Sequence, residues 1–170
     1  MTHFIRSDIG RVVCLVCDKP DAGVIKYAEQ HAVPVILIDK VSLQKPIDLI
    51  GQLRDMGGEI LVLAGFLRLL PPEFVQAFPN RIVNIHPSLL PKYGGKGMYG
   101  DRVHQAVIDA GDDRSGITIH YVNEHYDEGA VIFQSECDVL PDDSADSLAA
   151  RIHQLEHEHY PQQIESLIHD

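Results

Sequence analysis

Short β-prone apolar runs alternate with helical stretches through the first half of this chain, and that alternation limits its folds most severely. "RVVCLVC" (11–17), "PVILID" (34–39), "EILVLA" (59–64) and "RIVNIH" (81–86) are the apolar runs. Each has the composition of a strand buried on both faces. Between them lie "DAGVIKYAEQHA", "PIDLIGQLRDM" and "PPEFVQAF". Pro46 suits the first turn of the second helix, and the Gly pair at 57 and 58 ends it. A β-α-β-α order implies a parallel sheet with right-handed crossovers, so the fold class is α/β and Rossmann-like.

After residue 86 the rhythm changes. "PSLLPKYGGKGMYGD" reads as a long loop, and "RVHQAVIDAG" as a helix stopped by Gly111. "GITIHYVN" (116–123) and "GAVIFQSE" (129–136) are two strands joined by the polar loop "EHYDEG", which predicts an antiparallel pair. "DSADSLAARIHQLEHEHY" (143–160) is a capped amphipathic helix with Leu148, Ile152 and Leu155 at helical spacing. No repeat or linker divides the 170 residues, so residues 1–170 read as one domain.

Composition narrows the partners. Lys and Arg number 14 against 25 Asp and Glu, a net charge of −11. Such a chain is poorly suited to nucleic acid, whose affinity rests on neutralised phosphates. No apolar run reaches transmembrane length, and "MTHFIRSDIG" has no apolar signal region, so the expected setting is cytoplasmic, away from membranes. Three Cys fit a reducing compartment. Cys14 and Cys17 form a C-x-x-C, but residues three apart on a strand face opposite sides, which favours a core reading over a metal or redox pair.

"NIHPSLLPKY" (84–93) is the stretch with chemical promise. Residues i and i+2 of a strand share a side, so Asn84 and His86 project together while Val83 and Ile85 project the other way. Pro87 biases His86 towards extended backbone. The pair sits at the carboxyl end of a parallel strand, where open α/β sheets hold their ligands. A loop His with a turn-forming Asn would look the same. Asp127, in the loop after the next strand, is the candidate partner. A carboxylate beside an imidazole favours its charged form, and an amide with an imidazolium could hold an oxyanion. An ordinary Asp-Glu-Gly turn is the alternative for Asp127.

Three motifs together, "VLAGFLRLLPPEF", "NIHPSLLPKY" and "HYVNEHYDEGAVIFQ", strongly resemble the glycinamide ribonucleotide formyltransferases, a folate-dependent family, from about Arg11 to the C-terminus. The resemblance implies formyl transfer from 10-formyltetrahydrofolate to the amine of glycinamide ribonucleotide in purine synthesis. It implies no metal. Asn84, His86 and Asp127 match the family's catalytic trio. Leu67, Arg68, Leu69 and Leu70 match the segment lining the folate pocket, and Asn84 belongs to that pocket too. Asn123, Glu124, His125, Tyr126 and Asp127 match the loop that closes over the pterin. His153, Gln154, Leu155 and Glu156 match the helix that touches the ribonucleotide, with Glu156 on a ribose hydroxyl.

The chain departs from the pattern twice. "KYGGKGMYGDRVH" is longer and richer in Gly than the family's run at that place, and it reads as a mobile substrate-side loop. The family's opening strand and its phosphate-cradling Gly-Ser loop have no counterpart, and "MTHFIRSDIG" resembles the tail of the helix after them. A gap is therefore expected between the strands at 12–17 and 61–64. Without that cradle, ribonucleotide binding and turnover are expected to be weak, with Lys92 and Lys96 the nearest basic substitutes. His104 aligns with a family His near the substrate. His120 reads as a satisfied sheet residue, and the spacing of His153 and His157 reads as an exposed polar helix face rather than a metal site. A sister formyltetrahydrofolate hydrolase, a methionyl-tRNA formyltransferase or an inactive folate-binding domain are the competing readings.

Overall fold

Strand β4 (Ile82–His86) organises the architecture, because its two edges pair in opposite senses. On one edge it runs parallel to β3 (Leu61–Leu63), with Leu61 opposite Ile82 and Leu63 opposite Asn84. On the other it runs antiparallel to β5 (Arg114–Tyr121), with Asn84 opposite His120 and His86 opposite Thr118. β5 pairs antiparallel with β6 (Val131–Asp138), as the two-strand motif predicted. A second sheet joins β1 (Leu15–Cys17) in parallel to β2 (Val35–Leu37). The computed structural model describes residues 2–5 and 7–169.

Helices cover both faces. On one side α4 (Pro46–Asp55) and α5 (Pro72–Ala77) bury Leu49, Ile50, Leu53 and Phe74 against Ile38 and Ile82. On the other, α7 (Ala145–His169) packs Tyr160, Ile164 and Leu167 on Val83 and Ile119. Further along, Leu148 and Ile152 of α7 meet Ile117 and Val107 of α6 (Asp101–Ala110). Burying each such side chain contributes roughly 1.5–3 kcal/mol. The alternation of β4 thus appears as expected: Val83 and Ile85 go to the α7 side, which leaves Asn84 and His86 for the opposite face. The result is a Rossmann-like α/β arrangement. Among the described residues, no helix is long and apolar enough to cross a membrane.

The expected gap is present. Among the described residues no ladder joins β1 to β3, although Val16, Ile36, Leu61 and Leu63 all pack on one apolar cluster. Leu15 donates its N–H to Pro34, and the Cys17 carbonyl accepts from Ile38, so the backbone groups of Val16 point away from β2. Likewise Leu61 donates to Arg81, which turns the groups of Val62 away from β4. An ion pair joins the segments that follow the two strands, Arg68 Nε to Asp18 Oδ2 at 3.1 Å.

Three local expectations need correcting. The strands read at 11–17, 34–39 and 59–64 shrink to three-residue ladders, and they are half-buried rather than enclosed. A strand whose second edge lacks a partner loses both ladder and cover there, so Val62 is 43% exposed. A short helix, α3 (Lys40–Gln44), went unread; Asp39 caps it by accepting from the Ser42 N–H at 2.8 Å. The last helix does not stop at Tyr160 but continues through Pro161. The apolar stripe Tyr160, Ile164 and Leu167 holds that continuation on the sheet, and this burial outweighs the cost of Pro inside a helix.

The remaining helices need little comment. α1 (Thr2–Ile5) is the helical turn that "MTHFIRSDIG" suggested, and α2 (Gly23–Gln30) follows β1 as read. Cys14, Cys17 and Cys137 are all free; Cys14 packs on the apolar cluster, in keeping with its core reading.

Candidate active site

His86 ends β4 and is 4% exposed. Its frame is unusually well tied down. Thr118 Oγ1, across the ladder, donates to the Ser88 carbonyl at 2.7 Å and accepts from the Leu90 N–H at 3.0 Å. Ser88 Oγ donates to the Lys92 carbonyl at 2.6 Å. The "HPSLLP" segment is therefore a built loop, whose bend returns Tyr93 to the imidazole.

That return decides the chemistry of the ring. His86 Nε2 lies 2.8 Å from the Tyr93 carbonyl oxygen, which can only accept, so Nε2 carries a proton. Nδ1 is then the nitrogen that gains or loses one. It faces Asp127, whose Oδ2 is 3.6 Å away. That separation is too long for a hydrogen bond but close enough for attraction. Asp127 is held in turn: Oδ2 accepts the Gly95 N–H at 2.8 Å, and its backbone takes a left-handed φ of 57°.

Sequence reasoning missed a fourth member, His120. It is 2% exposed and stands opposite Asn84 in the β4–β5 ladder. Nδ1 of His120 donates to the Tyr121 carbonyl at 2.8 Å. Burial, more than any neighbouring charge, lowers its pKa, so the ring stays neutral and Nε2 keeps its lone pair. That lone pair accepts from Asn84 Nδ2 at 3.2 Å. The bond orients the Asn84 amide and leaves its second N–H free. The signal lay in register: an antiparallel neighbour of "NIH" puts the His of "TIHY" across from Asn84.

The residues matched to the folate side come together only in part. Leu69 donates its N–H to Tyr126 Oη at 3.0 Å, which joins the 67–70 segment to the 123–127 loop. Within that loop His125 donates its N–H to Asn123 Oδ1 at 2.9 Å, and Glu124 is exposed. Leu67 and Leu69 are exposed and available to a ligand. Leu70 turns into the core beside Phe74, and Arg68 is engaged by Asp18. On α7, His153 and Gln154 are exposed, while Leu155 packs on the core. Glu156 is half-buried, and burial raises its carboxyl pKa against the opposing pull of His153 and His157.

The Gly-rich loop is closely packed at its start, because a Cβ on Gly94 would meet Leu90 Cδ2 at 2.5 Å and Asp127 Cβ at 3.3 Å. Lys92, one of the two lysines considered for a phosphate, is paired with Asp112 at 2.9 Å. His104 is buried on α6, with no hydrogen-bond partner for Nδ1 among the described residues. Burial and the nearby His153 lower its pKa.

Comparison with known proteins gives the chain a family. The family described as formyl transferase matches residues 3–164. The chain is 46% identical to the chloroplastic phosphoribosylglycinamide formyltransferase of Arabidopsis thaliana over 156 residues, which is 89% of this chain and 53% of that one. It is 40% identical to the phosphoribosylglycinamide formyltransferase of Bacillus subtilis over 158 residues, 91% of this chain and 78% of that one. Among solved structures, glycinamide ribonucleotide transformylase 1 from Geobacillus kaustophilus superposes with a TM-score of 0.87 at 34% identity, covering 98% of this chain and 91% of that one. The chain spans about half the length of its plant relatives. With a family match over nearly its whole length, and with the built loop and ordered side chains described above, the chain belongs to the formyl transferase family.

Proposed function

We propose that this chain transfers a formyl group from 10-formyltetrahydrofolate to the amine of glycinamide ribonucleotide, a step of purine synthesis. The observation that carries this reading is the convergence of Asn84, His86 and Asp127 at the carboxyl end of β4, in a chain whose relatives bear that activity in their names. Asn84 offers its free amide N–H, and protonated His86 offers Nδ1–H, to the oxygen that becomes negative when the amine attacks the formyl carbon. Asp127 sets its carboxylate beside that edge of the ring, with Oδ2 3.6 Å from Nδ1. As the bond from the formyl carbon to the folate nitrogen breaks, that nitrogen takes a proton and the attacking amine loses one. His86 Nδ1 gives its proton to that departing nitrogen and then, bare and with Asp127 beside it, takes the proton that the amine loses.

The other matched residues have roles under the same reading. Leu67, Leu69 and the 123–127 loop flank the folate. Glu156, whose carboxyl pKa burial raises, suits a ribose hydroxyl, with His153 beside it. Three free cysteines are in keeping with a reducing compartment such as the cytoplasm.

The test is steady-state formyl transfer by the chain and by His86→Ala, with calorimetry of tetrahydrofolate binding. Loss of one oxyanion donor typically costs on the order of 10²–10³ in rate, so His86→Ala should fall at least that far while folate binding persists. A variant keeping more than a tenth of parent activity would sink the assignment. Folate binding without any transfer by the parent would favour the folate-binding reading.

A further inference from the structure

The Tyr93 carbonyl selects the titrating nitrogen of His86, yet Tyr93 sits in a conformation that a bulky side chain avoids. Its φ is 55°, in the left-handed region. Such a residue stays there only when its surroundings over-determine it. The backbone on its N-terminal side is held by Ser88 Oγ on the Lys92 carbonyl, and by the Lys92 N–H on the Leu89 carbonyl. Its side chain is held by one polar contact, Tyr93 Oη to Asp112 Oδ2 at 2.9 Å.

Asp112 lies just beyond α6, at the start of the turn into β5, remote in sequence from every residue of the catalytic cluster. Its carboxylate also receives Lys92 Nζ, at 2.9 Å to Oδ2 and 3.2 Å to Oδ1. Two consecutive residues, Lys92 and Tyr93, are thus clamped by one acid. Beside the clamp is a cavity of about 210 Å³, lined by Lys92, Tyr93, Val107, Asp112 and Ser115. The Tyr93 ring packs against the cluster of Val107 and Ile117 but also borders this space, so the hydroxyl bond adds restraint to the packing.

We propose that Asp112 is a positioning residue for the reaction: by anchoring the Tyr93 hydroxyl it holds the Tyr93 carbonyl on His86 Nε2, and so commits Nδ1 to the substrate side. The chain of contacts is Asp112, Tyr93, His86 and then Asp127. Without the anchor, Tyr93 relaxes towards an ordinary φ and its carbonyl leaves Nε2. The ring is then free to carry its single proton on either nitrogen. A neutral His86 protonated on Nδ1 presents no lone pair to a proton coming from the attacking amine. The exposed Lys92 plays little part, because a solvated ion pair contributes weakly to holding either side chain.

The importance of this clamp for turnover rests on the proposed formyl transfer, but its effect on the ring does not, and the test separates the two. Ring nitrogen chemical shifts of His86 would be recorded at a pH alkaline enough to leave the ring neutral. The parent should show a proton on Nε2 and a bare Nδ1. Asp112→Ala and Tyr93→Phe should both show a mixture of tautomers. Asp112→Asn keeps an oxygen for the Tyr93 hydroxyl and should restore the parent pattern, as should Lys92→Met. In formyl transfer, Asp112→Ala should lose about tenfold in kcat with KM for the folate changed less than twofold, as a misplaced catalytic group predicts. If Asp112→Ala does not fold, Tyr93→Phe carries the same test. A folded Asp112→Ala or Tyr93→Phe with the parent tautomer would overturn the proposal. Absence of formyl transfer in the parent would count against the activity alone, since the spectra need no substrate.

Discussion

Asn84 Nδ2 stands 3.2 Å from His120 Nε2, and that contact has only one workable polarity. His120 Nδ1 already donates to the Tyr121 carbonyl, so Nε2 accepts and the Asn84 amide donates. The amide cannot turn over without facing its oxygen to a lone pair. A side chain proposed to hold a developing negative charge is thereby presented donor-first before substrate arrives.

Replacing His120 by Phe keeps the ring and removes the acceptor. Asn84 then loses its orientation, and its half-buried amide competes for other partners. The expected loss is about 10–10² in kcat, smaller than for His86→Ala because the donor is misaimed rather than deleted. Formyl transfer kinetics with a circular dichroism check of folding would decide it. Unchanged kcat would mean that Asn84 is held by its backbone alone.

Two buried imidazoles give stability a defined pH dependence. Burial lowers the pKa of both His104 and His120 below the ordinary value. Above about pH 6.5 both rings are neutral in folded and unfolded chains alike. As pH falls below about 6.5, the unfolded chain takes up protons first, so stability is lost until the folded rings also protonate. Glu156 works in the opposite sense, because burial raises its carboxyl pKa and the folded state binds its proton first. Urea midpoints measured from neutral to mildly acidic pH should therefore fall, less steeply in His104→Gln and more steeply in Glu156→Gln. A flat profile in the parent would contradict the burial argument.

Pro161 lies inside α7, where it removes an N–H from the helix and crowds the carbonyl four residues earlier. The helix persists because Tyr160, Ile164 and Leu167 are buried on the sheet, with Tyr160 Oη donating at 2.8 Å to the Leu63 carbonyl. Pro161→Ala should therefore stabilise the fold by about 1–3 kcal/mol. Urea denaturation is the check, and a destabilised variant would mean that the proline ring contributes packing that Ala cannot supply.

The break between the two sheets predicts a local weakness. The N–H groups of Val16 and Val62 point to an edge without a ladder partner among the described residues, whereas Val83 and Ile119 are fully buried in strands paired on both edges. Hydrogen exchange should run orders of magnitude faster at Val16 and Val62 than at Val83 and Ile119. Slow exchange at both edge positions would show that something other than a ladder covers them.

Much of this molecule could be read from local rules. A period of two placed Asn84 and His86 on one side of their strand, because pleating allows nothing else. The apolar runs located six strands, and the break at residue 86 located the change from parallel to antiparallel pairing. The loop after the next strand offered Asp127 as a partner for His86, and resemblance to known motifs supplied the gap beside β3. Reading failed where a local rule met a stronger distant one. Pro161 should end a helix, but the stripe at Tyr160, Ile164 and Leu167 finds a sheet to bury against. The apolar strand at residues 59–64 should be enclosed, but enclosure requires neighbours on both edges.

What the sequence by itself determined is which side chains could act together along one strand, since that follows from backbone geometry over a few residues. What only the tertiary structure decided is their polarity. The antiparallel register that sets His120 against Asn84, the turn that returns the Tyr93 carbonyl to His86, and the anchoring of Tyr93 by Asp112 all join residues 7 to 36 positions apart. Such contacts depend on how loops close and strands slide, which no local periodicity records. Yet they alone settle which nitrogen carries a proton and which end of an amide faces the substrate.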